Sequence, residues 1–172
     1  MAHPAKAIAN YFIAAFKNFK GEFLSPMKLQ KLVYFAQGWH LGLNSTRIAE
    51  ESIEAWPWGP VVPCLYHEFK HFGNGSITQL ATEFDWSVGF GEVQTPTLTG
   101  DDEQVVFSKH FLDRIIEIYG SFTGIQLSNL THEPGTPWDI INKQYDGKIP
   151  KRVEIPDELM QKYFANLAKK PG

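Results

Sequence analysis

The chain has 172 residues, 43% hydrophobic and 14% aromatic, which is enough material for a sizeable buried core. Its 16 Lys and Arg against 19 Asp and Glu leave a net charge of −3, arguing against a general polyanion binder and hence against direct nucleic-acid binding. One cysteine, Cys64, excludes an internal disulfide framework and a multi-cysteine zinc site. No run of about 18 apolar residues marks a membrane span, and the start Met-Ala-His-Pro-Ala-Lys lacks the pattern of a secretory signal. A soluble cytoplasmic globular domain is expected.

Pro4 suits a first helical turn, and Ile8, Tyr11, Phe12, Ala15, Phe16 and Phe19 follow at helical spacing up to Lys20-Gly21. Ser25-Pro26 is an N-cap with a proline at the first helical position. The helix it opens carries Leu29, Leu32, Val33, Ala36, His40 and Leu43 on one stripe, while Tyr34, Phe35 and Trp39 widen the apolar surface beyond a single face. Residues 53–58 read as a short extended piece stopped by Gly59-Pro60. A third helix is expected from Val62-Pro63 to Phe72, closed by Gly73-Asn74-Gly75.

Phe84, Trp86, Val88 and Phe90 alternate with small or polar residues, as in a half-buried strand, with a weaker second strand through Val93. The acids of Asp101-Asp102-Glu103 favour a helix start, and the stripe Val106, Phe107, Phe111, Ile115, Ile118 and Tyr119 predicts a helix ending at Gly120. Short helices follow at about 124–132 and 137–144, and a last one uses Leu159, Met160, Tyr163, Phe164 and Leu167. The expected fold is mainly α, a single compact helical domain over 1–172 with a minor β element at about 53–58 and 84–94.

Residues 67–71, His-Glu-Phe-Lys-His, match the H-E-x-x-H pattern, in which two histidines one helical turn apart bind zinc and the glutamate activates the bound water. Lys70 beside His71, the early stop at Phe72-Gly73 and the lack of a conspicuous third ligand weigh against it. Cys64 near His67 lacks an evident orienting acid and reads as structural. A zinc-dependent hydrolase using His67, Glu68 and His71 stands as the alternative to a non-catalytic protein.

The run Ser25-Pro26-Met27-Lys28-Leu29-Gln30-Lys31-Leu32-Val33-Tyr34-Phe35-Ala36-Gln37-Gly38-Trp39-His40 resembles the opening block of the Panacea domain, the SocA-like antitoxin family often found with phage genes. Residues 53–63, then Tyr66-His67-Glu68-Phe69-Lys70, resemble its second block, Leu130-Thr131-His132 with Pro137-Trp138 its third, and Ile155-Pro156 before Tyr163-Phe164 its C-terminal helix. The resemblance implies an antitoxin of prophage or mobile-element origin. It would bind and neutralise a cognate toxin encoded nearby by direct protein contact, with no catalysis and no cofactor.

Within these blocks six residues are candidates for partner binding. Lys28 and Lys31, three apart on one helix face beside Tyr34, could offer a positive patch to an acidic partner surface or a nucleotide-like group, or could simply be solvated. Trp56, Trp58 and Tyr66 surround the rigid Gly59-Pro60 and could anchor an interface or equally wedge helices together in the core, with Trp58, flanked by Pro57 and Gly59 in a turn, the better exposed candidate. His132, near Trp138, reads first as bracing and second as part of a cleft.

Overall fold

The computed structural model describes residues 1–171. It is 53% helical, with seven α-helices and two small two-stranded sheets. Helix α1 (Ala5–Ala15) gives way to a π-helical turn, Phe16–Lys20, that ends at the left-handed Gly21. The wider π turn shifts the side-chain register, so Phe16 stays buried while Phe19, expected on the same stripe, points into solvent.

Helix α2 (Pro26–Asn44) is the centre of the structure, packing against α1, α3, α4, α5 and α7. Ser25 Oγ accepts from the Lys28 backbone N–H at 3.2 Å, so the capping read from Ser25-Pro26 is present. The helix is buried nearly all round, and the polar groups it takes inward serve as pegs for loops. Gln37 Oε1 accepts from the backbone of Ile48 and Ala49, and His40 Nδ1 meets the Thr46 carbonyl at 2.6 Å. Against its far half lies α7 (Asp157–Ala168), whose Phe164 seats directly on Gly38 and Gly42.

Strands β1 (Glu54–Trp56) and β2 (Gly59–Val61) form an antiparallel hairpin around the two-residue turn Pro57-Trp58. Gly59-Pro60, expected to end the extended piece, instead begins the second strand. Proline is tolerated there because its partner Ala55 directs its N–H outward, to Val153 O at 2.8 Å, so no ladder donor is lost. Helix α3 (Pro63–Phe69) follows and tightens into a 3₁₀ turn over Lys70–Phe72.

Strands β3 (Glu83–Asp85) and β4 (Glu92–Gln94) form a second hairpin. The alternating aromatics were expected to be half-buried; they are not. Trp86 is 77% exposed, and Phe84, Val88, Phe90 and Val93 are also open to solvent. The alternation fails to bury a face because the chain turns at Gly89 and Gly91, both at positive φ, leaving strands of three residues with no helix over them.

The remaining helices begin on side-chain caps. Asp102 caps α4 (Glu103–Tyr119), Thr123 and Gln126 form a capping box for α5 (Gly124–His132), and Thr136 caps α6 (Pro137–Gln144). One hydrophobic cluster runs from Ala5 to Phe164 and draws on every helix. Among the described residues no helix is long and apolar enough to cross a membrane.

Candidate functional site

The β1–β2 hairpin is held on every side. Trp138 Nε1 donates to Trp56 O at 2.7 Å from α6, and Lys31 Nζ donates to Pro60 O at 3.1 Å from α2. Gln30 takes both backbone groups of Val62, accepting its N–H at 2.9 Å and donating to its carbonyl at 3.0 Å. Behind β1, Ile155 donates to Ile53 O at 2.8 Å. These bonds leave the turn residue Trp58 projecting, 55% exposed, from a backbone with little freedom to move.

Trp58 separates two cavities. On one side lies a cavity of about 600 Å³ between α2, α3 and α5, lined by Met27, Leu65, Tyr66 and Phe69 among apolar groups and by Lys31, Lys70, Asn129 and His132 among polar ones. On the other is one of about 480 Å³, where Trp56, Pro63 and Ile149 meet Glu54, His67, Lys151 and Arg152. Trp58 packs edge-on against Trp56 with ring centres 5.4 Å apart, and Trp56 against Tyr66 at 4.8 Å, so the wall between the cavities is a small aromatic cluster.

Four of the six residues singled out from the sequence, Lys31, Trp58, Tyr66 and His132, therefore line one cavity. The other two do not join them. Lys28 folds back to Gly120 O at 2.7 Å and lies over the Phe16 ring at 4.9 Å, and partial burial lowers its pKa. Tyr34 is only 2% exposed and packs against Phe35 and Phe164, so it offers nothing to a partner; burial raises its pKa. The positive patch of two lysines and a tyrosine on one open helix face does not exist, because α2 is central and has no open face.

Lys31 itself is 3% exposed. Desolvation lowers its pKa from 10.5 to about 8. His132 Nδ1 lies 2.6 Å from Ser128 O, which orients the ring, and the ring packs on Trp138 at 4.3 Å. Gly59, at φ +125°, sits where Lys31 and His132 converge: a Cβ there would stand 2.8 Å from Lys31 Nζ and 3.0 Å from His132 Cε1. The sequence did not point to Met27, Phe69, Lys70 or Asn129 as cavity residues, since their meeting depends on how α2, α3 and α5 pack.

The His-Glu-Phe-Lys-His segment is divided between two kinds of turn. His67 is in the last turn of α3, facing the second cavity, and His71 is in the 3₁₀ turn against Phe72. Glu68 is engaged elsewhere, with Lys6 at 3.1 Å and the Thr82 N–H at 2.9 Å. Among the described residues no three His, Cys, Asp or Glu side chains converge as a metal site requires. Burial, then the nearby Glu51, push the Cys64 thiol up to about 11, which disfavours the nucleophilic thiolate.

The arrangement is a rigid turn that presents an exposed tryptophan between two cavities, the kind of feature that anchors protein interfaces. The family model for the SocA-like antitoxin, Panacea domain, matches residues 29–139, and the chain belongs to that family. The chain is also 28% identical over 141 residues to antitoxin SocA of Caulobacter vibrioides (strain NA1000 / CB15N), an alignment covering 82% of this chain and 72% of that protein. No solved structure matches significantly.

Proposed function

We propose that this chain is a non-catalytic cytoplasmic antitoxin that neutralises a toxin encoded nearby, in a prophage or other mobile element, by direct protein contact. The antitoxin role follows from the family; direct contact is supported by the presentation of Trp58. A large aromatic carried on a backbone that is already held in place spares the cost of ordering that turn on binding, which favours it as an interface anchor. The contact surface in this reading is the Trp58 turn with the larger cavity beside it, including Tyr66 and His132.

The test is rescue of growth when the neighbouring gene's product is co-expressed with the unmodified chain or with Trp58→Ala. Truncating an interface tryptophan commonly costs about 2 kcal/mol, roughly a thirtyfold loss in affinity. Trp58→Ala is therefore expected to lose rescue at low expression while its melting temperature stays near that of the parent. Undiminished rescue removes this surface from the contact, and failure of the unmodified chain to bind or rescue against any neighbouring product removes the neutralisation reading.

A further inference from the structure

The larger cavity is electrostatically one-sided. In a chain with more acids than bases, its lining contains Lys31, Lys70 and His132 and, among the described residues, no Asp or Glu. Lys31 is the unusual member. Its ammonium is out of water, has three donors, and makes a hydrogen bond to the Pro60 carbonyl. Among the described residues no carboxylate pairs with it. A buried cation without a counter-ion is costly to the folded state, and that cost falls when an anion enters.

The surroundings define what kind of anion fits. With Nδ1 turned to Ser128 O, His132 keeps its other ring nitrogen for a visitor, and the bare Gly59 lets Lys31 and His132 converge, since a Cβ there would crowd both. The rest of the wall is apolar and aromatic: Met27, Leu65, Trp58, Tyr66 and Phe69. A small inorganic anion would leave that wall unused. An acid on a peptide, next to an aromatic or aliphatic side chain, uses both halves. The adjacent Trp58 gives the peptide an anchor at the rim, so the cavity is continuous with the contact surface already described.

We propose that this cavity recognises an acidic side chain on a segment of the partner protein, the carboxylate pairing with Lys31 at the floor and a neighbouring apolar side chain lying against Trp58, Tyr66 and Phe69. This rests on the protein-contact reading above and names the chemistry that the partner supplies.

The experiment is selection of a random heptapeptide library on the purified full-length chain and on Lys31→Met. The best selected peptide is then titrated by tryptophan fluorescence with its acid intact and with the acid replaced by its amide. Selected sequences are expected to carry Asp or Glu beside an aromatic or aliphatic residue. The amide peptide is expected to bind at least tenfold more weakly to the unmodified chain, and Lys31→Met is expected to lose the acid preference. Acid-free selected sequences, equal binding of acid and amide, or an unchanged preference on Lys31→Met each overturn the proposal. So does tighter binding of inorganic phosphate or adenosine monophosphate than of any peptide, which would make the cavity a small-molecule site. The acid–amide comparison needs no variant protein, so it holds even if Lys31→Met does not fold. Growth rescue without an acid preference removes this inference and leaves neutralisation standing; an acid preference without rescue does the reverse.

Discussion

Gly38→Ala is expected to destabilise the chain by about 2–3 kcal/mol, the opposite of what helix propensity alone predicts. Alanine in a helix interior is favoured over glycine by about 1 kcal/mol. At Gly38, however, a Cβ would overlap the ring of Phe164, and at Gly42 it would stand 2.7 Å from Phe164 Cβ and 2.8 Å from the Ala165 backbone nitrogen. Phe164 is fully buried, against Tyr34, Phe35 and Trp39, so its ring has no free space to move into. Helix α7 must shift off α2, and the seam between them is the largest helix contact in the structure. Thermal unfolding should show a drop of roughly 5–10 °C for Gly38→Ala, and a similar or larger drop for Gly42→Ala, where the obstacle includes backbone.

The cause can be isolated with a double-mutant cycle. In Gly38→Ala/Phe164→Leu the smaller side chain makes room for the new methyl, so the pair should be less destabilised than the sum of its single changes. Strict additivity would show that the loss has another source. The same melts test the proposal that residues 1–172 unfold as one domain, because far- and near-ultraviolet signals should then change together.

Lys31→Met is expected to stabilise the fold at neutral pH while weakening partner recognition. A pKa lowered from 10.5 to about 8 corresponds to a desolvation cost of roughly 3 kcal/mol to the folded state while Lys31 is charged. Methionine removes that cost but leaves Pro60 O without its donor, a loss of about 1 kcal/mol. The net gain expected near pH 7 is about 1–2 kcal/mol, measured by denaturant unfolding.

The pH dependence has a definite sign. Below about pH 8 Lys31 is protonated in both states and the folded state carries the full cost. Between pH 8 and 10.5 the folded chain loses this proton while the unfolded chain keeps it, so the unfolded state binds more protons and stability rises with pH. The advantage of Lys31→Met should therefore shrink through this window and vanish, or reverse, above it. Buried Tyr34 and Tyr119, whose pKa values are raised, titrate the other way above pH 10 but do so in both proteins, so the difference isolates Lys31. An advantage independent of pH would show that Lys31 is not a desolvated cation. A variant more stable yet poorer at recognition is the pattern expected of a group kept for binding.

The sequence by itself determined the helices and the family. Ser25-Pro26, Asp102 and Thr136-Pro137 announce helix starts because a cap is chemistry between residues two or three apart, and the structure contains those caps. The helices at 124–132 and 137–144 were legible as short elements, though the Thr123–Gln126 capping box of the first was not read, and the ordered blocks from Ser25 to Trp138 carried the antitoxin resemblance. Trp58 was legible as a projecting residue because Pro57 and Gly59 constrain its turn locally.

Tertiary structure alone decided which of these residues meet. That Lys31 is buried follows from α2 being enclosed by five other helices, and no pattern within residues 26–44 says how many neighbours the helix will have. Lys31 and His132 are 101 residues apart and share a cavity only because α5 packs against α2 above Gly59. The aromatics from Phe84 to Val93 show the converse: a period of two says that a strand could bury one face, but burial needs a second layer, and none covers that hairpin among the described residues. Local rules set the elements because their energies are decided within a turn or two of chain. The cavity, its charge and its buried lysine depend on contacts between distant segments, which only the packed chain brings together.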